Sequence, residues 1–184
     1  MKKYIAVILL IGLVIWGMYD VGSKSNSTKV PTNTSQVQQL TVGLEKGNLA
    51  PDFELKSVDG KAMKLSSLKG KKVILNMWTT WCPPCRLEMP DMEKFYTENK
   101  AAGIEILAVN LTKAEKSRND VPTFLKANDI TFPVVLDENG DVGKLYDVSS
   151  IPASFILDTQ GVIQEKIVGP MTYESMKQML STIK

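Results

Sequence analysis

Histidine is absent from the 184-residue sequence. That one absence removes every Ser-His-Asp and Cys-His nucleophile pair and most transition-metal sites. Cysteine is nearly as scarce, at two residues, so neither a four-sulfur zinc site nor an iron–sulfur cluster can be assembled within one chain. Whatever the two cysteines do, they do as a pair, and no metal or cofactor is expected. A strong charge excess is missing too. The formal net charge is +2, and no run of Lys and Arg interleaves with aromatics as a nucleic-acid surface requires. Internal repeats are lacking. What remains is ordinary globular composition, 43% apolar and 23% charged, in a length suited to one domain with appendages.

The appendages come first. Met1-Lys2-Lys3 leads into an unbroken apolar stretch from Tyr4 to Tyr19, closed by Asp20, near the short end of what crosses a bilayer at about 1.5 Å per residue. Residues 4–21 are expected to form a transmembrane signal-anchor helix. The two lysines ahead of it keep residues 1–3 in the cytoplasm and send the rest of the chain out. A cleaved signal peptide shares the same basic start and apolar centre, but Met18, Tyr19 and Asp20 make a poor cleavage site, and no cysteine follows to carry a lipid. Residues 22–42 are rich in Ser, Thr, Asn, Gln and Lys, a composition that cannot offset the entropy of ordering and reads as a tether.

From about Gly43 to Lys184 apolar segments alternate with turn signals. Phe53–Leu55 and Met63–Leu65 flank Asp59-Gly60 as a short hairpin. Val73–Trp78 is a continuous apolar run, as expected of a central strand buried on both faces. A helix from Pro83 to about Lys100 follows, then a strand at Ile104–Asn110 and a helix near Val121–Asn128, with Asp120 as N-cap and Pro122 in its first turn. Val134–Leu136 is a strand ending in the turn Asp137-Glu138-Asn139-Gly140. Ser154–Leu157 and Val162–Val168 form a hairpin through Asp158-Thr159-Gln160-Gly161, and Thr172 caps a last helix, Tyr173–Ile183. The order implies an α/β domain with a mixed sheet between helices.

The chemistry lies in Trp81-Cys82-Pro83-Pro84-Cys85. Cys82 follows a buried strand and opens a helix, where unpaired amides favour an anion, and the thiolate is the nucleophile of disulfide exchange. Cys82 is therefore the attacking cysteine, and Cys85, one turn inside the helix, resolves the mixed disulfide. Pro83 and Pro84 have no amide hydrogen to give, which leaves only the amides of Cys85 and Arg86 for the sulfur. The Cys82 thiol should thus be only moderately acidic and the pair reducing rather than strongly oxidising. A permanent structural disulfide is the plain rival. Closing a ring this small contributes only about 2 kcal/mol on the chain-entropy model, which argues against it. Trp81 and Pro83, flanking the nucleophile, are assigned to substrate contact, and Trp78 to the core. Pro90 should kink the helix.

These residues carry a resemblance. Ala50-Pro51-Asp52-Phe53, the segment Asn76 to Cys85, Glu88-Met89-Pro90 and Ile151-Pro152-Ala153-Ser154-Phe155 resemble the thioredoxin fold and, within it, the membrane-anchored TlpA/ResA-like thiol–disulfide oxidoreductases. The resemblance covers about Gly43 to Lys184. It implies a thioredoxin fold with an N-terminal β-hairpin extension. It also implies a cis Pro152 beside the disulfide, with the Ile151 backbone meeting substrate, and a proton-handling role for Glu88, since Asn76 replaces the titratable Asp of typical thioredoxins. The partners implied are disulfide-bearing exported proteins, such as apocytochrome c or a sporulation-linked protein, and a membrane electron donor that re-reduces the pair.

Two other functions compete. A peroxiredoxin shares the Ala-Pro-Asp-Phe entrance but needs a peroxidatic Cys framed by Pro, Thr and Arg in a different spacing. A copper-carrying module would use a histidine with its cysteine pair; this chain has none, and two thiolates make only a weak, exposed site.

Overall fold

A computed structural model describes residues 40–183. The expected anchor and most of the expected tether lie outside them. Among the described residues no helix is long and apolar enough to cross a membrane.

The hairpin around Asp59-Gly60 is present as β1 (Glu54–Ser57) and β2 (Ala62–Lys64), paired antiparallel with Leu55 opposite Met63. Gly60 sits at φ 84°, a left-handed conformation that a side chain would strain. The chain then enters β3 (Lys72–Trp78), α1 (Pro83–Asn99), β4 (Ile104–Asn110), α2 (Asp120–Ala127) and β5 (Val134–Leu136). A short helix α3 (Asp141–Leu145) follows, then the hairpin β6 (Ala153–Leu157) and β7 (Ile163–Val168), and α4 (Tyr173–Thr182). The strands form one seven-stranded sheet in the order β2-β1-β5-β4-β3-β6-β7. β3, β4 and β5 run parallel, while β6 pairs antiparallel with β3. The sheet is mixed, as expected.

Alternation along β3 divides the core. Ile74 and Trp78 join Met89, Met92 and Phe95 of α1 on one face, with Met176 and Leu180 of α4. Val73, Leu75 and Met77 face the other side, toward Ala50, Phe53, Val142 and Tyr146. Each fully buried aliphatic side chain contributes about 2 kcal/mol, so a register slip of one residue, which would exchange the two faces, is strongly disfavoured. Asn76 is the polar exception on β3. It is fully buried on the α1 face.

Polar ties fix the helices around the sheet. On α1, the Glu93 carboxylate accepts from the Thr131 amide at 2.7 Å and the Asp91 carboxylate from the Tyr173 amide at 3.0 Å. Lys72 Nζ, 3.2 Å from the Leu180 carbonyl, places a cation at the C-terminal end of α4. Thr172 caps α4 in a reciprocal pair with Ser175.

The structure departs from the sequence reading at two helix starts. Asp120 is the first residue of α2 rather than its N-cap, which is Asn119. The Asp120 carboxylate instead accepts from the Ser117 amide at 3.0 Å. The turn Asp137-Glu138-Asn139-Gly140 leads directly into α3, a helix to which the sequence reading assigned nothing. Buried Asp137 makes this possible by accepting from the amides of Asp141 at 2.9 Å and Gly143 at 2.8 Å, satisfying donors that the first helical turn leaves open. Pro90 lies within α1, which continues through it.

Candidate active site

β3 ends at Trp78, and three residues on the chain turns into α1. Cys82 is the N-cap of α1, in extended conformation, and its sulfur accepts from the Cys85 amide at 3.2 Å. Pro83 and Pro84 fill the first two helical positions, where a missing amide hydrogen costs nothing to the helix. The Arg86 amide, the other donor anticipated for the sulfur, is taken by the Cys82 carbonyl at 3.1 Å. One amide therefore serves the sulfur. Cys82 and Cys85 are joined as a disulfide with their Cα atoms 5.3 Å apart.

The pair is almost enclosed, Cys82 being 3% exposed and Cys85 fully buried. Ile151-Pro152 is a cis peptide bond, and the Ile151 carbonyl oxygen stands 3.8 Å from Cys82 Sγ. Trp81 is half exposed, and its indole N–H donates to the Ala114 carbonyl at 2.9 Å. Pro83 is exposed beside it. Thus Trp81, Pro83, Ile151 and Pro152 all lie at the rim or wall of the disulfide, while Trp78 is buried against Phe124.

Glu88 lies one turn beyond Cys85 on α1, so the two side chains leave the same helix face. It is 1% exposed. Its Oε1 accepts from Asn76 Nδ2 at 2.8 Å and its Oε2 from the Met171 amide at 3.0 Å. Burial raises its pKa from 4.5 to about 7, against the two donors, which favour the charged form. A carboxyl that changes charge near neutral pH, one helical turn from a buried cysteine, can take up and return a proton there.

Some residues of this neighbourhood carried no recognised sequence signal. Glu115, after a 3-10 turn at Thr112–Ala114, accepts from the Thr80 amide and hydroxyl, each at 2.6 Å, and from Asn110 Nδ2 at 2.8 Å. Asn110 is level with Trp78 across the β3–β4 pair. The available clue was positional, since loops beyond the carboxyl ends of parallel strands gather at one edge of such sheets. Met171, whose amide donates to Glu88, was likewise silent, and Ser154, on β6 opposite Asn76, entered the sequence reading only as a strand residue of the Ile151–Phe155 segment.

Residues 46–166 match the AhpC/TSA family. The chain is 42% identical to the thioredoxin-like protein YneN of Bacillus subtilis, over 98% of both chains. It is 40% identical to the thiol-disulfide oxidoreductase ResA of the same organism, over 77% of each. Among solved structures, StoA from Bacillus subtilis superposes with a TM-score of 0.64 at 38% identity, covering 71% of this chain and 96% of that one. An almost enclosed disulfide at a helix N-terminus, on a thioredoxin-like sheet and with these relatives, places the chain in the AhpC/TSA family, as a thiol–disulfide oxidoreductase of the ResA/StoA kind.

Proposed function

We propose that the protein reduces disulfides of exported proteins by dithiol exchange at Cys82 and Cys85, from a domain held outside the cytoplasm by the apolar segment 4–21. The observation that carries the catalytic reading is the Cys82–Cys85 disulfide at the start of α1, with buried Glu88 one turn behind it. In the reduced enzyme the Cys82 thiolate attacks a substrate disulfide, forming a mixed disulfide and expelling one substrate thiolate. Glu88 then takes the Cys85 proton. The Cys85 thiolate attacks Cys82 Sγ, closing the Cys82–Cys85 bond and releasing the second substrate thiolate. The substrate gains two electrons and the enzyme loses them. Trp81 and Pro83, exposed on either side of Cys82 in the chain, and the Ile151 carbonyl 3.8 Å from its sulfur are the groups a substrate meets there.

The outward location is supported by the lysines before the apolar stretch and the polar segment after it. Apocytochrome c or a sporulation protein is the substrate class proposed, in keeping with a relative named sporulation thiol-disulfide oxidoreductase A, 40% identical over 68% of this chain. A membrane electron donor re-reduces the pair.

A Cys85→Ala variant expressed in cells tests this. It should accumulate on Cys82 a mixed disulfide with an exported protein, recoverable from the membrane fraction, with the domain open to protease in intact protoplasts. Trapping of cytoplasmic proteins alone, or a protease-protected domain, would refute the location and substrate class.

A further inference from the structure

The first described residues join the domain at the edge of the sheet opposite the disulfide. Leu49 bridges to Val42 on one side and to Val162 on the other, and its amide donates to the Thr41 carbonyl at 2.9 Å. The Ile163 amide donates to the Asn48 carbonyl at 2.8 Å. Residues 41–49 are thus fastened to the turn between β6 and β7. That turn meets the start of β3, where the Gly70 amide donates to the Thr159 carbonyl at 2.8 Å and Val73 pairs with Leu157. From Lys72 to Trp78, β3 then spans about 20 Å at the rise of a strand before the chain reaches Cys82.

Three features gather at this edge. One is exposed apolar surface, Leu40 being 41% and Val42 60% exposed. Another is a cavity of about 150 Å³, walled mainly by Leu49, Leu65, Leu68 and Leu157, with Lys69 and Lys71 also lining it. The third is positive charge. Lys46 and Lys69 are exposed and form no ion pair among the described residues. Most acids nearby are engaged. Asp52 pairs with Lys64 and Glu105 with Lys71, while Asp158 accepts from the amides of Gln160 and Val162. Glu45 is exposed and opposes the two lysines.

We propose that this edge binds anionic phospholipid at the outer surface of the membrane, with Leu40 and Val42 at the headgroup–acyl boundary and Lys46 and Lys69 against the phosphates. A soluble anion would use the lysines and leave the apolar surface in water. An apolar protein surface would do the reverse. A phospholipid leaflet presents both layers together, acyl chains beneath phosphates. The apolar cavity beside Lys69 repeats that order of parts. Each lysine near an anionic surface multiplies association by about fivefold.

The inference rests on the reading that segment 4–21 lies in the bilayer. Residues 22–39, at no more than about 3.5 Å each, then keep Leu40 within about 60 Å of the lipid, so a contact too weak to form from free solution is made at high effective concentration. Cys82 is turned toward the aqueous side, where exported substrates arrive. A contact this weak still lets the domain lift to meet a membrane donor.

The test uses the full chain, oxidised, with vesicles of pure phosphatidylcholine and vesicles with about 30% phosphatidylglycerol. Brief acylation by a membrane-impermeant ester, quantified for each lysine by mass spectrometry, maps the contact. Lys113 and Lys144, which line a hollow beyond the ends of β4 and β5, serve as references. Relative to them, Lys46 and Lys69 should react at least about threefold more slowly on the anionic vesicles and recover in about 0.5 M salt. Equal rates on the two vesicle types would overturn the proposal, as would equal slowing of the references. Leu40→Gln combined with Val42→Gln should remove at least about half of the protection, and undiminished protection would show that lipid meets another surface. Failure of the anchor reading appears separately, as a chain that does not float with phosphatidylcholine vesicles. The edge is then judged by flotation on the anionic vesicles, expected for the unaltered chain and lost in Lys46→Glu combined with Lys69→Glu. Flotation that is absent, or kept by that variant, refutes the edge.

Discussion

Glu115 grips Thr80 at two atoms, accepting from its amide and from its hydroxyl, each at 2.6 Å. The loop after β4 is thereby fastened to the residue that stands two places before Cys82. A further bond from Asn110 holds the carboxylate in place. Glu115→Ala should destabilise the protein by about 2 kcal/mol, the scale of charge-assisted hydrogen bonds lost with their donors left open. Urea unfolding of oxidised and reduced protein measures this. A change below about 0.5 kcal/mol in both would show that the grip is incidental.

The charge on Glu88 makes stability depend on pH. Its folded pKa, about 7, lies above the ordinary value of 4.5, so the folded state holds more protons than the unfolded state between those values. Stability therefore declines as pH rises through that window and levels off above it. The full difference is about 3 kcal/mol, from about 2.5 pKa units. Glu88→Gln should flatten this slope, measured as unfolding free energy of the oxidised protein at pH 4.5 and 8. Equal slopes in the two proteins would contradict a raised Glu88.

Resolution should slow in the same variant. Glu88→Gln is expected to lower the rate at which Cys85 displaces a model peptide from Cys82 by at least about tenfold at pH 7, toward the lower range of general-base effects. Quenched-flow capture of the mixed disulfide gives the rate directly. An unchanged rate would leave Glu88 as a structural acid.

The Cys82 thiol receives one amide, that of Cys85, because Pro83 and Pro84 have none and Arg86 is engaged with the Cys82 carbonyl. In the reduced protein this should leave the Cys82 thiol less acidic than the most acidic dithiol sites. Thiolate absorbance against pH reads it, and a midpoint near about 4 would mean that other donors dominate.

Trp81 projects half its surface beside a nearly enclosed disulfide. Trp81→Ala should raise KM for a protein disulfide about tenfold and leave reaction with a small disulfide reagent within about twofold, the pattern of a lost binding contact. Equal losses with both substrates would instead assign Trp81 to the geometry of the redox loop, through its bond to Ala114.

Strongly patterned segments were legible in the sequence for a physical reason. The run Val73–Trp78 is buried on both faces, and β4 is nearly so, so local composition and final environment coincide. The cysteine pair was legible because it follows a buried strand and because Pro83 and Pro84 suit the first turn of a helix. Glu115 and Asp137 were not. Each acts on amides contributed by distant or irregular backbone, Thr80 in one case and the start of α3 in the other, and a lone acid in a polar stretch does not announce which amides it will meet. The N-cap at Asp120 failed similarly. Asp120 and its neighbour Asn119 are both good caps by residue type, and the Asp120 carboxylate is engaged by the Ser117 amide instead.

Among the described residues Cys85 is fully buried and Cys82 is 3% exposed, so oxidant and reductant must both react at the one sulfur of Cys82. No complex can hold substrate and electron donor at the redox pair together. Turnover is then a strict alternation of visitors, and steady-state kinetics with both varied should give parallel double-reciprocal lines, each partner inhibiting competitively at the other's expense. A protein built this way cannot channel electrons straight through. It must carry them two at a time, and its throughput depends on how quickly each visitor leaves.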